Sequence, residues 1–260
     1  MSERRPFEAT VRDGILRLQR PDTRWLSTGW NGGRLREDAA YNVSVPEGFD
    51  RTDLGTYRDE RLARAGFDSA ESVDTGPTLF TGVSMEHARG ARRGPVVVYA
   101  TVGLSNPAML PMDRETKSAN ERDDTADSDL TSDTGATTAA ARQHRPGTVN
   151  LIVGTTRRLA AGAGANLVAV AAEAKAATLL ATAGIPGTTS DAVIVADDPD
   201  GEPAAFSGSA TTVGAATRVC VRDAIRESLQ SRYPDGDLPG PATDAEYGVV
   251  ADERAEVFNP

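Results

Sequence analysis

Two charges stand out by their surroundings. From Leu159 to Thr182 the chain runs 24 residues with only Glu173 and Lys175 charged, although 25% of the whole sequence is Asp, Glu, Lys or Arg. A helix that is apolar nearly all round is a buried one, and a charge kept inside a protein is usually paired or functional. Two positions apart on a helix, the side chains point about 200° away from each other, so each is expected to find its partner elsewhere. Desolvation of Glu173 in such a helix is expected to raise its pKa, a property wanted of a general acid or base near neutrality. Asp191 opens a second apolar run and is the third titratable candidate; its plainer role is to cap the loop before it.

Polar residues beside glycine add hydroxyls and carboxamides. Gly147-Thr148-Val149-Asn150 starts one apolar run, Gly187-Thr188-Thr189-Ser190-Asp191 leads into another, and Phe206-Ser207-Gly208-Ser209-Ala210-Thr211-Thr212 leads into a helical pattern. Glycine lets backbone approach a ligand, and a helix start offers free N–H donors to an anion or oxyanion. For Thr211 the better reading is an N-cap. None of these runs ends in the Gly-Lys-Ser/Thr of a phosphate loop, so nucleotide hydrolysis is not expected. The 2 histidines, His87 and His144, lie far apart in sequence, which supports neither a His-rich metal site nor a Ser-His-Asp triad. Cys220, the single cysteine, falls at helical spacing among apolar residues and reads as a buried small side chain.

These groups need a scaffold. Phe7–Arg12 and Ile15–Arg20 flank Asp13-Gly14, a strong hairpin signal. Arg24–Thr28 and Ala40–Val45 read as further strands, Thr52–Ala65 as a surface helix, and Thr78–Val83 and Val96–Val102 as strands, the last a Val-rich run suited to the middle of a sheet. Residues 113–145 hold eight acids, five basic residues and Leu130 as the one apolar side chain larger than alanine. Such a segment cannot bury enough surface to offset its ordering entropy, and a disordered acidic insertion is expected, with His144 its only candidate site residue. Thr148–Val153 follows as a strand, then an Ala-rich helix from about Gly162 to Thr182 stopped by Gly184 and Pro186, a strand at Asp191–Ala196, a turn at Asp197–Pro203, and a helix at Thr211–Arg232. Residues 234–260 are expected to form an irregular tail. The reading is a single α/β domain over 1–260, with a mixed sheet, flanking helices and an N-terminal hairpin. Ligands in open α/β sheets bind at the carboxyl ends of the strands, so the site is expected at that end of the Thr148–Ala196 unit.

The 260 residues carry a net charge of −10, with 38 acids and only Lys117 and Lys175 as lysines among 28 basic residues. That balance argues against nucleic acid, whose phosphates are bound by neutralising Lys and Arg, and against an anionic membrane. It suits a salt-loaded cytoplasm. No run approaches the roughly 18 apolar residues of a membrane span, and no basic-then-apolar leader is seen; a cytoplasmic protein is expected.

Six motifs in order resemble one family: Leu26-Ser27-Thr28-Gly29-Trp30-Asn31-Gly32-Gly33, Asn42-Val43-Ser44-Val45, the strand from Gly147 to Val153, Ala172-Glu173-Ala174-Lys175, the run from Gly187 to Ala196, and Ser207-Gly208-Ser209. Together they are similar to the adenosylcobinamide amidohydrolase family of corrinoid salvage enzymes, over most of the chain from about Trp25 to Ile225. The resemblance implies hydrolysis of the amide joining aminopropanol to the corrin ring, giving adenosylcobyric acid for coenzyme B12 assembly, a route used by archaea. The partner is then a small-molecule corrinoid, and no cofactor is needed beyond the cobalt the substrate brings.

A corrin is wide, apolar on its faces and edged with amides, so Asn31, Gly32, Gly33 and Asn42, beside Trp25, Trp30 and Tyr41, are expected to bind it, with Thr148, Asn150 and Ser190; the two tryptophans read equally well as core. Amide cleavage needs a base, an oxyanion partner and an acid for the departing amine. Glu173, Lys175 and Asp191 are the catalytic candidates; His87 reads either as a further acid or base or as a surface or orienting histidine. Thr148 is a nucleophile only if its hydroxyl meets a base. Two other readings stay open at this point: a non-catalytic corrinoid-binding or escort protein, and an unrelated small-amide hydrolase.

Overall fold

The structure, a computed structural model of the chain, describes residues 7–67, 76–111, 147–239, 248–251 and 253–259. The expected insertion at 113–145, His144 included, lies outside them. The described chain forms β1 (Glu8–Arg12), β2 (Ile15–Ser27), β3 (Gly33–Ser44), α1 (Leu54–Arg64), β4 (Thr78–Thr81), a 3₁₀ turn at Met85–His87, β5 (Arg89–Arg93) and β6 (Val96–Val102). Then come β7 (Ala108–Met109), β8 (Val149–Leu159), α2 (Ala161–Ala183), β9 (Ala192–Ala204), α3 (Thr212–Arg232) and β10 (Val249–Val250).

The α/β class stands. One mixed sheet runs β4-β3-β2-β9-β8-β6-β5, with β1 paired to β2. β8 and β9 are parallel and joined through α2, the crossover that parallel neighbours require. Asp13 and Gly14 take the left-handed conformation (φ 45° and 70°) that a two-residue hairpin turn needs, which is why Asp-Gly sits between β1 and β2.

The sheet doubles back on itself. In β2 the register shifts between Gln19 and Thr23, around Pro21 and a left-handed Asp22 (φ 57°); proline in a strand is tolerated at such a bulge. Past that bend, the outer half of the sheet lies face to face with the inner half. Leu18, Ala40 and Leu79 pack with Val97, Ile152 and Ile194 in one core. α1 covers the outer half through Tyr57 and Leu62 against Ala39, Tyr41 and Val43. α2 and α3 cover the inner half through Leu167, Leu179, Cys220 and Ile225 against Val98, Leu151 and Val195. Alternation along each strand makes this possible: Asn150 and Ile152 face the space between the sheet halves, and Val149, Leu151 and Val153 face the helices.

Several boundaries differ from the sequence reading. Arg24–Thr28 is not a separate strand but the second half of β2, because the bulge absorbs Pro21 without ending the strand. The turn expected at Asp197–Pro203 is a continuation of β9. Three of its four acids are paired in place: Asp197 with Arg24, Asp198 with Arg20 at 2.6 Å, and Glu202 with Arg157. β5, Arg-rich and at the sheet edge, was not expected as a strand. The tail is not wholly irregular, since β10 adds in parallel to β7.

Candidate active site

The polar candidates collect at one end of the molecule, on both faces of the inner sheet. Asn150 pairs in register with Ala192, so the amino ends of β8 and β9 finish together, and Thr148, Ser190 and Asp191 stand just before them. This is the end opposite to the one expected: the carboxyl ends of these strands carry Leu159 and Ala204 and the Ser207 loop. Ser207 Oγ donates to Ala163 O at 2.7 Å and accepts from Asn166 Nδ2 at 3.1 Å, fastening the start of α2.

On the helix face, Asp191 organises the strand ends. Its carboxylate accepts from Val149 N at 2.9 Å, Thr188 N at 3.0 Å, the Thr188 hydroxyl and the Lys175 ammonium. Four donors occupy it, which fits an orienting and loop-capping group. The Lys175 and Asp191 side chains are only 13% and 10% exposed. Gly187 is required beside them, since a β-carbon there would come within 2.6 Å of Asp191 Oδ2 and 3.0 Å of Lys175 Nζ.

On the other face a row of carboxamides and hydroxyls lies between the sheet halves. Asn42 Nδ2 donates to Thr101 Oγ1 at 2.9 Å, and Asn150 Nδ2 donates to Asn42 Oδ1 at 3.0 Å and to Phe80 O at 2.9 Å. Thr148 Oγ1 and Ser190 Oγ are 3.0 Å apart, and Ser190 Oγ donates to Gly147 O at 3.3 Å. Thr148 is buried whereas Ser190 is exposed. Asn106 bridges to Thr189 through its amide nitrogen, and its oxygen abuts Gly147, where a β-carbon would lie 2.2 Å from it. The side-chain oxygens of Asn106 and Asn150 are buried without a hydrogen-bond partner among the described residues. Asn106 and Thr101 are not singled out by the sequence; a lone threonine inside a Val-rich strand and an asparagine shortly after it carry no periodic or spacing signal.

The structure thus brings together Asn42, Thr148, Asn150, Ser190, Asp191 and Lys175. It does not bring in Glu173, whose side chain is 67% exposed and pairs with Arg218 at 2.8 Å. The expectation of a buried carboxylate there is overturned because alanine tolerates solvent as well as core, so an Ala-rich helix shows no apolar stripe; only one side of α2 is buried. His87 bonds to α3 rather than to this group: its Nδ1 lies 3.1 Å from Ser231 Oγ and its carbonyl accepts from Ser228 Oγ. Asn31, Gly32 and Gly33 form the exposed β2–β3 turn, with Asn31 left-handed at φ 48°. That turn borders the carboxamide row, because Trp30 stacks edge-on against Phe80 at 6.0 Å, whose carbonyl receives Asn150. Trp25 and Tyr41 are core residues. A cavity of about 550 Å³ opens at the same end on the helix side, lined by Thr182, Asp223, Arg226, Tyr233 and Leu238 among others.

α2 is the one described helix long and apolar enough to cross a membrane, at 23 residues and mean hydropathy 1.2, but eight of its residues pack into the fold. Among the described residues no three His, Cys, Asp or Glu side chains gather as a metal site.

Residues 2–236 match the family model described as adenosylcobinamide amidohydrolase. The chain is 54% identical over 254 residues to the adenosylcobinamide amidohydrolase of Halobacterium salinarum, covering 98% of this chain and all of that one. It is 25% identical over 232 residues to the enzyme of the same name from Methanosarcina mazei, covering 85% of this chain and 97% of that one. The chain therefore belongs to the adenosylcobinamide amidohydrolase family and is a hydrolase of an amide C–N bond.

Proposed function

We propose that the chain hydrolyses the amide joining aminopropanol to the corrin of adenosylcobinamide, releasing adenosylcobyric acid for re-entry into coenzyme B12 assembly in a salt-rich cytoplasm. The observation that carries this reading is the row of carboxamides and hydroxyls at the amino ends of β8 and β9, in a chain similar from end to end to a relative of that name. A substrate edged with amides presents N–H donors and carbonyl acceptors. Asn150 and Asn106 offer buried oxygens to such donors, and an unmet buried acceptor costs about 1–3 kcal/mol, which favours a ligand that supplies the missing bond. Asn42 orients Asn150, and Trp30 and the Asn31-Gly32-Gly33 turn offer a flat ring and open backbone to the corrin rim.

Lys175 and Asp191 act from the helix face as positioning residues. Asp191 ties the start of β8 to the loop before β9, so Thr148 and Ser190 are held against each other; Lys175 balances its charge. Glu173 takes no part. On this reading the cobalt arrives with the substrate, and the hydrolysis calls on no metal or cofactor of the protein's own. Incubating the purified protein with adenosylcobinamide in molar KCl should yield adenosylcobyric acid and free aminopropanol by mass spectrometry. Unchanged substrate at every salt concentration would refute the assignment.

A further inference from the structure

Resting on that reading of the substrate, we propose that Thr148 is the nucleophile, that Ser190 is its proton relay, and that the reaction passes through an ester between the corrinoid acyl group and Thr148. The enzyme is then also an acyl transferase to strong amine nucleophiles.

The bonding of Thr148 sets it apart. The threonines at 23, 78, 178, 182 and 211 give their hydroxyls to backbone carbonyls, the ordinary structural use of this side chain, and Thr188 gives its hydroxyl to the Asp191 carboxylate in capping the loop. Thr148 bonds another hydroxyl instead, at 3.0 Å. That pair has one buried member, 2% exposed, and one exposed member, the arrangement a short proton relay needs. The backbone around Thr148 is held on both sides: Thr148 O accepts from Gly103 N at 3.1 Å, Val149 N donates to Asp191, and Gly147 O accepts from Ser190. A hydroxyl fixed this way has little reorganisation to undergo before attack. The partnerless buried oxygens of Asn150, two residues along the same face, and of Asn106, against Gly147, flank it as acceptors for amide N–H groups.

The base that Thr148 needs is the substrate's own departing amide nitrogen, reached through Ser190, and with it the step balances. Thr148 Oγ1 forms a bond to the amide carbonyl carbon while its proton passes to Ser190 Oγ, and the proton of Ser190 passes to the amide nitrogen. The C–N bond breaks and aminopropanol leaves as a neutral amine, with the acyl group esterified to Thr148. Water then adds to the ester carbonyl, the relay runs in reverse, the proton returns to Thr148 Oγ1, and the carboxylic acid is released. One water is consumed. Hydroxylamine in place of water gives a hydroxamate.

The full-length protein, adenosylcobinamide and graded hydroxylamine in molar KCl, with products read by mass spectrometry, test this. The proposal expects a corrinoid hydroxamate rising at the expense of adenosylcobyric acid, and, on acid quench, an acyl adduct on the peptide bearing Thr148. Thr148→Ala should lose at least about 10³-fold in turnover while keeping its melting temperature and its corrinoid-bound visible spectrum. Thr148→Ser should restore much of the loss, and Ser190→Ala should lower turnover about 10²-fold. Acid formed with no hydroxamate and no adduct would overturn the nucleophile while leaving the hydrolysis intact, as would a folded Thr148→Ala variant within tenfold of the parent. Wild type that makes no acid and no hydroxamate overturns both. If Thr148→Ala fails to fold, the wild-type partition and adduct decide.

Discussion

Asp191 and Glu173 are both carboxylates near the same helix, and their surroundings give them opposite weights. Asp191 is nearly buried, faces the Lys175 ammonium and accepts from two backbone N–H groups. Asp191→Asn should strand the lysine charge and cost roughly 3–5 kcal/mol, the usual result of breaking a buried pair, with turnover falling further than the folded fraction as Thr148 loosens; melting temperature and activity on one sample check this. Glu173→Gln removes only a surface pair with Arg218, so stability should stay within about 0.5 kcal/mol and turnover unchanged. A large loss of activity there would bring Glu173 back into the chemistry. Cys220 supplies a pH test. Burial first, then Asp223, pushes its thiol above the ordinary value of 9.0. The folded form therefore holds its proton longer than the unfolded chain, so this contribution is whole below pH 9 and is lost as pH climbs through the raised value. Denaturant titrations should show stability falling on the alkaline side, less steeply in Cys220→Ala, and iodoacetamide should label native protein only as fast as it opens.

Each long element was legible where its signal is local. The Asp13-Gly14 turn, the Gly184 stop of α2 in the left-handed conformation (φ 70°) and the start of α3 all follow from residues within a few positions. Thr211 caps α3 by accepting from Gly214 N at 3.0 Å. Thr211→Ala should cost about 1 kcal/mol and lower the melting temperature by about 2–4 °C; calorimetry reads it directly. The elements misjudged are those whose limits depend on distant partners. Asp197–Pro203 has turn composition, yet Arg24 and Arg20 pair with Asp197 and Asp198 and β8 pairs with it beyond a register shift. The arginines of β5 resemble a loop until β6 gives them an edge to pair with.

At the scale of the whole molecule the governing quantity is charge. A net charge of −10 repels itself when unscreened, and the screening length grows from about 3 Å at 1 M salt to about 30 Å at 0.01 M. Melting temperature and turnover should therefore fall together as KCl is lowered from molar to millimolar. A flat or rising melting temperature across that range would contradict a salt-dependent fold.

The sequence by itself determined the α/β class, the hairpin, the three long helices, the burial of Cys220 and, through its six ordered motifs, the family. It also picked out most of the residues that converge: Asn42, Thr148, Asn150, Lys175, Ser190 and Asp191. Only the tertiary structure decided which of them meet, and on which side. Asn42 reaches Thr101 and Asn150 across 59 and 108 residues because the sheet bends at Pro21 and closes on itself, and no local pattern encodes that closure. It also decided that Glu173 faces water, that Asp191 faces the helices while Thr148 faces the opposite sheet, and that the polar candidates gather at the amino ends of β8 and β9. Propensity, turn chemistry and periodicity act over a few residues, whereas burial and partnership depend on which surfaces the completed fold presses together.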